Sequence, residues 1–217
     1  MSFSSIARPY LVSLAGLFFM GLGISLVTRS YLGTPPISSV PYVLSQLVPV
    51  TFGEFAFLLG VLFLLLQLLI LGRDFPRAQF LQVFVGLFLG VFIDLGMVIS
   101  SFAVPVRFPE EILTLVLGCG ILALGVYMTV SANTFLHPAD ALVRLLATRS
   151  GRRFGTVKIC FDSSLCCIAA LISLSAFGTV KGLGAGTIIS AFLVGFMVTV
   201  IGSVLLRLRR GGPSSAL

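Results

Sequence analysis

Apolar residues run along this chain in six long, nearly unbroken blocks, at 10–32, 52–71, 78–100, 112–134, 154–177 and 183–206. Each is long enough to cross a hydrocarbon core of ~30 Å as a helix. None alternates apolar and polar residues with the period of two that a barrel strand requires. A lipid-facing segment must also satisfy its own backbone hydrogen bonds, so the blocks predict six transmembrane helices. Polar punctuation between them repeats. "LVTRSYLGTPPISSVPYVL", from Leu26 to Leu44, and "TVSANTFLHPADALVRLL", from Thr129 to Leu146, both leave an apolar block through a polar turn and restart on proline. Each restart predicts a short helix, over 35–47 and 138–149, opened by Pro in its first turn, where the missing N–H costs nothing. Thr34 and His137 stand at the expected cap positions, and Asp140 in the first turn suits the positive end of the helix dipole.

Sliding the sequence by 102 positions superposes this punctuation. Gly16 falls on Gly118, Gly23 on Gly125, Pro36 on Pro138, and Phe52-Gly53 on Phe154-Gly155. With three more residues inserted, Gly90 falls on Gly195 and Asp94 on Thr199. An internal repeat of this kind defines the architecture. The units are 1–102 and 103–217, each one span, a short Pro-initiated helix and two more spans. Three crossings are an odd number, so the second unit enters the membrane from the opposite side. The expected fold is all-α and polytopic, built from two inverted three-helix repeats as in many secondary transporters.

The second short helix carries Asp140, Arg144 and Thr148 on one face and leucines elsewhere, which favours an amphipathic helix lying in the membrane interface. The first carries no charge and could sink deeper.

Composition agrees with the pattern. The chain has 217 residues, 58% hydrophobic and 10% charged, against roughly 25% charged in a soluble domain. Its first apolar block is too long for a signal-peptide core of ~7–15 residues and ends in no small-residue cleavage site, so it stays as a helix. The net charge is +7, and position explains it. With the N-terminus inside, Arg8, Arg73, Arg77, Arg144, Arg149, Arg152, Arg153, Lys158, Arg207, Arg209 and Arg210 fall on the cytoplasmic side, against Arg29, Arg107 and Lys181 outside. That is the positive-inside bias. It predicts a membrane protein with both termini cytoplasmic and no nucleic-acid partner. Cys119, Cys160, Cys166 and Cys167 lie within predicted spans without metal-ligand or redox spacing, and read as packing residues.

"GLGISLVTRSYLGTPPISSV", "FGEFAFLLGVLFLLLQLLI" and "GLFLGVFIDLG", with the second-half echoes "HPADAL" and "GLGAGTIISAFLVGF", resemble the YitT/YczE-type bacterial membrane proteins. The shared features are a Gly-rich first helix, LGxxP, and GxGT opening the last helix. There are two departures. Ser38 stands where the family usually has an acidic residue, and "HPAD" replaces Gly-Pro-Arg-Asp, keeping Pro138 and Asp140. The resemblance implies the architecture rather than an activity.

Charged groups inside spans are costly and mark candidate sites. Asp94 lies about 24 Å from the cytoplasmic end of its span at 1.5 Å per residue, and Arg29 lies near the outer end of the first, so an Arg29–Asp94 pair is geometrically open. Lys158 and Asp162 are spaced for an i, i+4 pair, and Glu54 suits the start of its helix. An aspartyl-protease dyad needs two carboxylates at ~3 Å, whereas Asp94 and Asp162 differ by about 14 Å in depth on the helix rise. "GLGAGT" lacks the preceding strand of a dinucleotide loop; its glycines, like Gly86 and Gly90, suit close helix contact. These features predict no enzyme, cofactor or metal site.

Arg29, Thr34, Ser38, Asp94, His137, Asp140 and Thr199 are the candidate substrate-binding residues, because inverted repeats bring such mates toward one midplane site. Helix N-termini beside Arg29 favour an anionic or zwitterionic solute. The reading is a transporter or channel in the lipid bilayer, with a non-transporting accessory or anchoring factor as the alternative. The Gly-rich helix faces would suit a second copy of the chain.

Overall fold

The computed structural model describes residues 3–134 and 136–210; the extreme termini, 1–2 and 211–217, to which the sequence reading assigns a side, lie outside the described residues. Eight α-helices form among them: α1 (Phe3–Arg29), α2 (Pro36–Ser45), α3 (Phe52–Leu71), α4 (Gln82–Ile99), α5 (Phe108–Ala132), α6 (Pro138–Ser150), α7 (Phe154–Phe177) and α8 (Ala185–Arg210). Six are long and apolar enough to span a bilayer; α2 and α6 are the two short ones. Short 3₁₀ turns at Arg77–Leu81 and Ser100–Phe102 flank α4.

Local chemistry sets the boundaries. Thr51 and Glu54 form a capping box that starts α3, Thr51 N–H donating to Glu54 Oε2 at 2.8 Å and Glu54 N–H to Thr51 Oγ1 at 3.1 Å. Asn133 in the left-handed conformation stops α5, and Gly151 and Gly178 at positive φ stop α6 and α7, the usual device for turning the chain after its last helical carbonyls.

α1 is the most buried span, and it crosses α5 antiparallel. Backbone approach is close enough to exclude side chains: a Cβ on Gly16 would sit 2.9 Å from the Gly125 carbonyl oxygen, and one on Gly118 would sit 2.7 Å from the Val27 nitrogen. Small residues at such crossings let packing hold helices together where lipid offers no hydrophobic drive. The glycines that the sequence offers for contact with a second copy are, on α1 and α5, used inside the chain.

α4 packs on α1 and α3, and α8 on α5; α2 packs on α7 and α3, and α6 on α3 and α7. One core cluster joins Val40 and Val43 of α2 to Ala139 and Leu142 of α6, through Phe63 of α3 and Leu165 of α7. The short helices therefore enter the bundle from its two ends and share one core. On the lipid side α8 is almost bare, with Ile188, Phe192 and Phe196 about two-thirds exposed.

Here the structure differs from the interfacial helix expected at 138–149. The first turn of α6 is buried, and Pro138 lies against Gly60 and Gly86, well inside α3 and α4. The polar stripe that reads as a headgroup-facing surface instead lines a cavity.

Candidate functional site

On the side of the bundle holding α6, a cavity of about 1130 Å³ opens between α6, the end of α5 and the α3–α4 connection. α6 supplies Asp140, Arg144 and Thr148, and the α6–α7 turn adds Arg152. The end of α5 contributes Thr129 and Asn133, followed by Thr134. The opposite wall is amide-rich, with Gln67 from α3 and Gln79 and Gln82 from the approach to α4. A small extension reaches Met20, Val85 and His137, deeper in the bundle.

The glutamines are organised rather than loose. Gln67 Nε2 donates to Gln82 Oε1 at 3.2 Å and to the Pro138 carbonyl at 3.0 Å, which holds the start of α6 to α3 and α4. A buried amide without partners costs several kcal/mol in an apolar medium, so this network fixes where α6 begins. Gln79 Oε1 and Thr134 Oγ1 are also buried but have no hydrogen-bond partner among the described residues. Both residues line the cavity.

Charge is concentrated at the α6–α7 contact. Lys158 Nζ lies 3.0 Å from Asp162 and 3.4 Å from Asp140. The lysine shares itself between the i, i+4 partner expected from sequence and the first turn of α6. Arg144 and Arg152 make no ion pair among the described residues. His137 caps α6, its Nδ1 accepting from the Ala139 N–H at 3.4 Å; burial pushes this imidazole below its usual range, against the pull of Asp140.

The seven candidate residues do not converge on one cavity. Asp140 and His137 belong to the cavity and its extension. Thr199 is exposed on α8 and donates to the Gly195 carbonyl at 3.0 Å. Arg29, Thr34, Ser38 and Asp94 all lie toward the other side of the bundle, in packed surroundings. Arg29 Nη2 donates to the Met97 carbonyl at 3.1 Å, and its Nε is buried without a partner among the described residues.

The Arg29–Asp94 pair that depth allows is not formed. Asp94 Oδ2 accepts from the Thr51 hydroxyl at 2.6 Å and Oδ1 from the Gly53 N–H at 2.7 Å, so its charge serves the N-terminus of α3. Thr34 is likewise not the cap of α2; Pro35 holds that position without a side-chain bond. The Thr34 hydroxyl and N–H both donate to the Gly182 carbonyl, each at 2.9 Å. Ser38 is buried in the first turns of α2.

That Thr34 contact joins two distant motifs. The Gly186 N–H donates to the Leu32 carbonyl at 2.8 Å, and a methyl on Gly33 would overlap the Thr187 hydroxyl. "LGTPP" after α1 and "GLGAGT" before α8 thus form one seam, with Gly33 at φ +135 and Gly182 at φ +73 in conformations that favour glycine. Sequence reasoning missed the cavity wall. Its signal was available: uncharged amides such as Gln67 interrupt an otherwise apolar span and need an internal partner.

Residues 7–203 match the family of unknown function DUF6198. The chain is 28% identical over 187 residues to the uncharacterized membrane protein YczE of Bacillus subtilis (strain 168), covering 85% of this chain and 80% of that protein. No solved structure matches the chain. The resemblance carried by LGxxP and GxGT is borne out. With both short helices, five candidate spans and most of the sixth inside the matched region, the chain is a membrane protein belonging to the DUF6198 family.

Proposed function

We propose that this protein is a carrier for a small polar solute bearing an anionic group, either an anion or a zwitterion. The observation that carries the reading is the cavity: a polar-lined space of about 1130 Å³ entering a bundle of six apolar spans from one side. Ligand sites typically occupy ~300–1,000 Å³, so a small solute fits with water around it. Arg144 and Arg152 supply positive charge that no ion pair among the described residues takes up, and Asp140 is partly neutralised by Lys158. Gln79 and Thr134, which line the cavity, each carry a buried oxygen without a hydrogen-bond partner among the described residues, which a rearranged wall could turn to a ligand. Together these suit a negative group accompanied by hydrogen-bonding functions.

The inverted-repeat reading of 1–102 and 103–217 supports the same function. Exchanging the halves maps α1 on α4 to α5 on α8, and α2 on α7 to α6 on α3, and each of these pairs is packed. The central pair, α1 and α5, are mates and run antiparallel, as an axis in the membrane plane requires. The positive-inside bias supports a cytoplasmic position for the α6 side, with Arg73, Arg77, Arg149 and Arg153. The cavity is then inward-facing.

A melting-temperature screen of the purified protein against small anionic and zwitterionic metabolites tests this reading, since a ligand at 100 times its Kd adds about 2.7 kcal/mol of stability. Compounds that raise the wild-type melting temperature should lose that effect in the Arg144→Gln, Arg152→Gln double variant and should be taken up by proteoliposomes. Equal shifts in both proteins, or binding without uptake, would remove the carrier reading.

A further inference from the structure

Contacts that are tight on the α2 side of the bundle have repeat mates that stand apart on the α6 side. The first is the seam of Leu32 and Thr34 with Gly182 and Gly186. Shifts of 102 and 105 positions put Thr134 and Leu136 in the place of Leu32 and Thr34, and 77–82 in the place of 182–187. Instead of meeting, Ala78, Gln79 and Gln82 face Thr134 and Leu136 as walls of the cavity. The buried oxygens of Gln79 and Thr134 that find no partner among the described residues lie on these two segments.

The second contact is Gly53 on Gly90. A Cβ on Gly53 would overlap the Gly90 carbonyl oxygen, and one on Gly90 would sit 2.5 Å from that of Gly53. Their mates are Gly155 on α7 and Gly195 on α8, and a Cβ at either would find nothing within 4 Å. α3 and α4 pack along each other, whereas α7 and α8 barely touch. The turn ahead of Gly155, with Arg152 and Phe154, lines the same cavity. Two unrelated pairings are therefore open on the same side.

We propose that these are the closed and open forms of one gate, present once in each half, and that they control access to the cavity. In the alternative state, 77–82 closes on Thr134 and Leu136, and Gly155 approaches Gly195. At the same time 182–187 releases Leu32 and Thr34, and the cavity opens on the α2 side. Each seam that parts at one end is matched by its repeat mate closing at the other. The two states can therefore lie close in energy, and a modest bias selects between them. The absence of a carboxylate at Thr199, where its mate Asp94 holds α3, makes the α6-side closure the weaker of the two. This inference rests on the carrier reading, and it concerns access to the proposed site.

The test needs no solute. In a background with the four native cysteines replaced, Gln79→Cys and Thr134→Cys are joined in membranes by a short bifunctional thiol reagent. Labelling of a third cysteine, Ser38→Cys, buried on the α2 side in this structure, is then measured. Cross-linking is expected to form and to raise that labelling roughly tenfold, as trapping of a minor state predicts. Ala78→Cys with Leu136→Cys repeats the measurement, and monodisperse elution verifies that each variant is folded. A cross-link without increased labelling, or failure of both pairs to cross-link in folded protein, overturns the gate. Such a failure leaves solute binding in the melting screen untouched, and a failed screen leaves the labelling result untouched.

Discussion

Asp94 accepts a hydrogen bond from the Gly53 N–H at 2.7 Å, so a carboxylate on α4 closes the beginning of α3. Its other oxygen takes the Thr51 hydroxyl at 2.6 Å. A negative charge at a helix N-terminus satisfies unpaired N–H groups and complements the dipole. Asp94→Asn keeps the size but replaces a charge-assisted acceptor, and should cost about 1–2 kcal/mol. The measurement is the melting temperature beside ligand affinity. Lower stability with retained affinity is expected; an unchanged melting temperature with abolished binding would return Asp94 to the solute site.

Gly53 and Gly155 fall together at the 102-position shift of the sequence but have opposite surroundings, which makes them a paired test. Gly53→Ala drives a methyl into the Gly90 carbonyl and to within 2.7 Å of the Asp94 carboxylate, so overpacking should cost about 1–3 kcal/mol. Gly155→Ala and Gly195→Ala meet open space, and in helix interiors alanine is favoured over glycine by up to about 1 kcal/mol. Both should therefore melt no lower than wild type. If α7 closes on α8 during transport, the same two variants should slow uptake severalfold. Normal uptake with normal stability would detach these glycines from the transport cycle.

His137 gives the stability a defined pH dependence. Its imidazole is held below the usual range by burial, so the unfolded chain binds the proton more readily than the folded one. Stability is then fully present above the unfolded value, about 6.5, and falls as pH drops below it. Protonation also removes the lone pair that accepts the Ala139 N–H. His137→Asn retains a capping side chain without the titration, and its melting temperature should decline less between pH 7 and pH 5 than that of wild type. Parallel declines would assign the acid sensitivity elsewhere.

Lys158 stands between two carboxylates, and its removal should be worse than the removal of either. Lys158→Met leaves Asp140 and Asp162 facing each other without a cation. Breaking a buried pair costs about 3–5 kcal/mol, and the partial exposure of all three side chains reduces the expectation to about 1–3 kcal/mol. Asp162→Asn, which leaves the Lys158–Asp140 pair intact, should cost less than Lys158→Met. A reversed order in melting temperatures would show that Asp162 stabilises this contact independently of the lysine.

The spans were legible because lipid imposes one rule on every exposed position, and 154–177 is recovered as α7 without adjustment. Pro36, Pro138 and Glu54 at helix starts were legible because such signals are local, although the Thr51 half of the α3 capping box was not read. Depth was not. The stripe of Asp140, Arg144 and Thr148 has the same spacing whether it faces headgroups or a cavity, and tertiary contacts distinguish them: the Gln67 bond to the Pro138 carbonyl and the packing of Pro138 against Gly60 and Gly86. Arg29 and Asp94 failed as a pair for a related reason. Helix rise gives their heights but not their azimuth, and Asp94 turns toward α3 while Arg29 reaches a carbonyl of α4.

On the proposed carrier reading, two positions compete for the anionic end of a solute, Arg29 on one side and Arg144 with Arg152 on the other. Arg29 has a carbonyl partner in packed surroundings, and a glutamine amide ends where the arginine Nε stands, short of the Met97 carbonyl. Arg29→Gln loses that bond and should cost about 1–3 kcal/mol of stability, and should leave ligand affinity within about twofold of wild type. Arg144 lines the cavity one helical turn from Asp140 and has no ion-pair partner among the described residues. Charge-assisted bonds to carboxylate or phosphate are worth about 1.5–3 kcal/mol, so Arg144→Gln should weaken ligand binding roughly tenfold to a hundredfold. Its stability should be unchanged, because no ion pair depends on it. Titration of a ligand found by the melting screen against the three proteins decides the matter. A large drop of affinity in Arg29→Gln with none in Arg144→Gln would move the anion site to the α2 side and make the present cavity an entrance rather than the binding place.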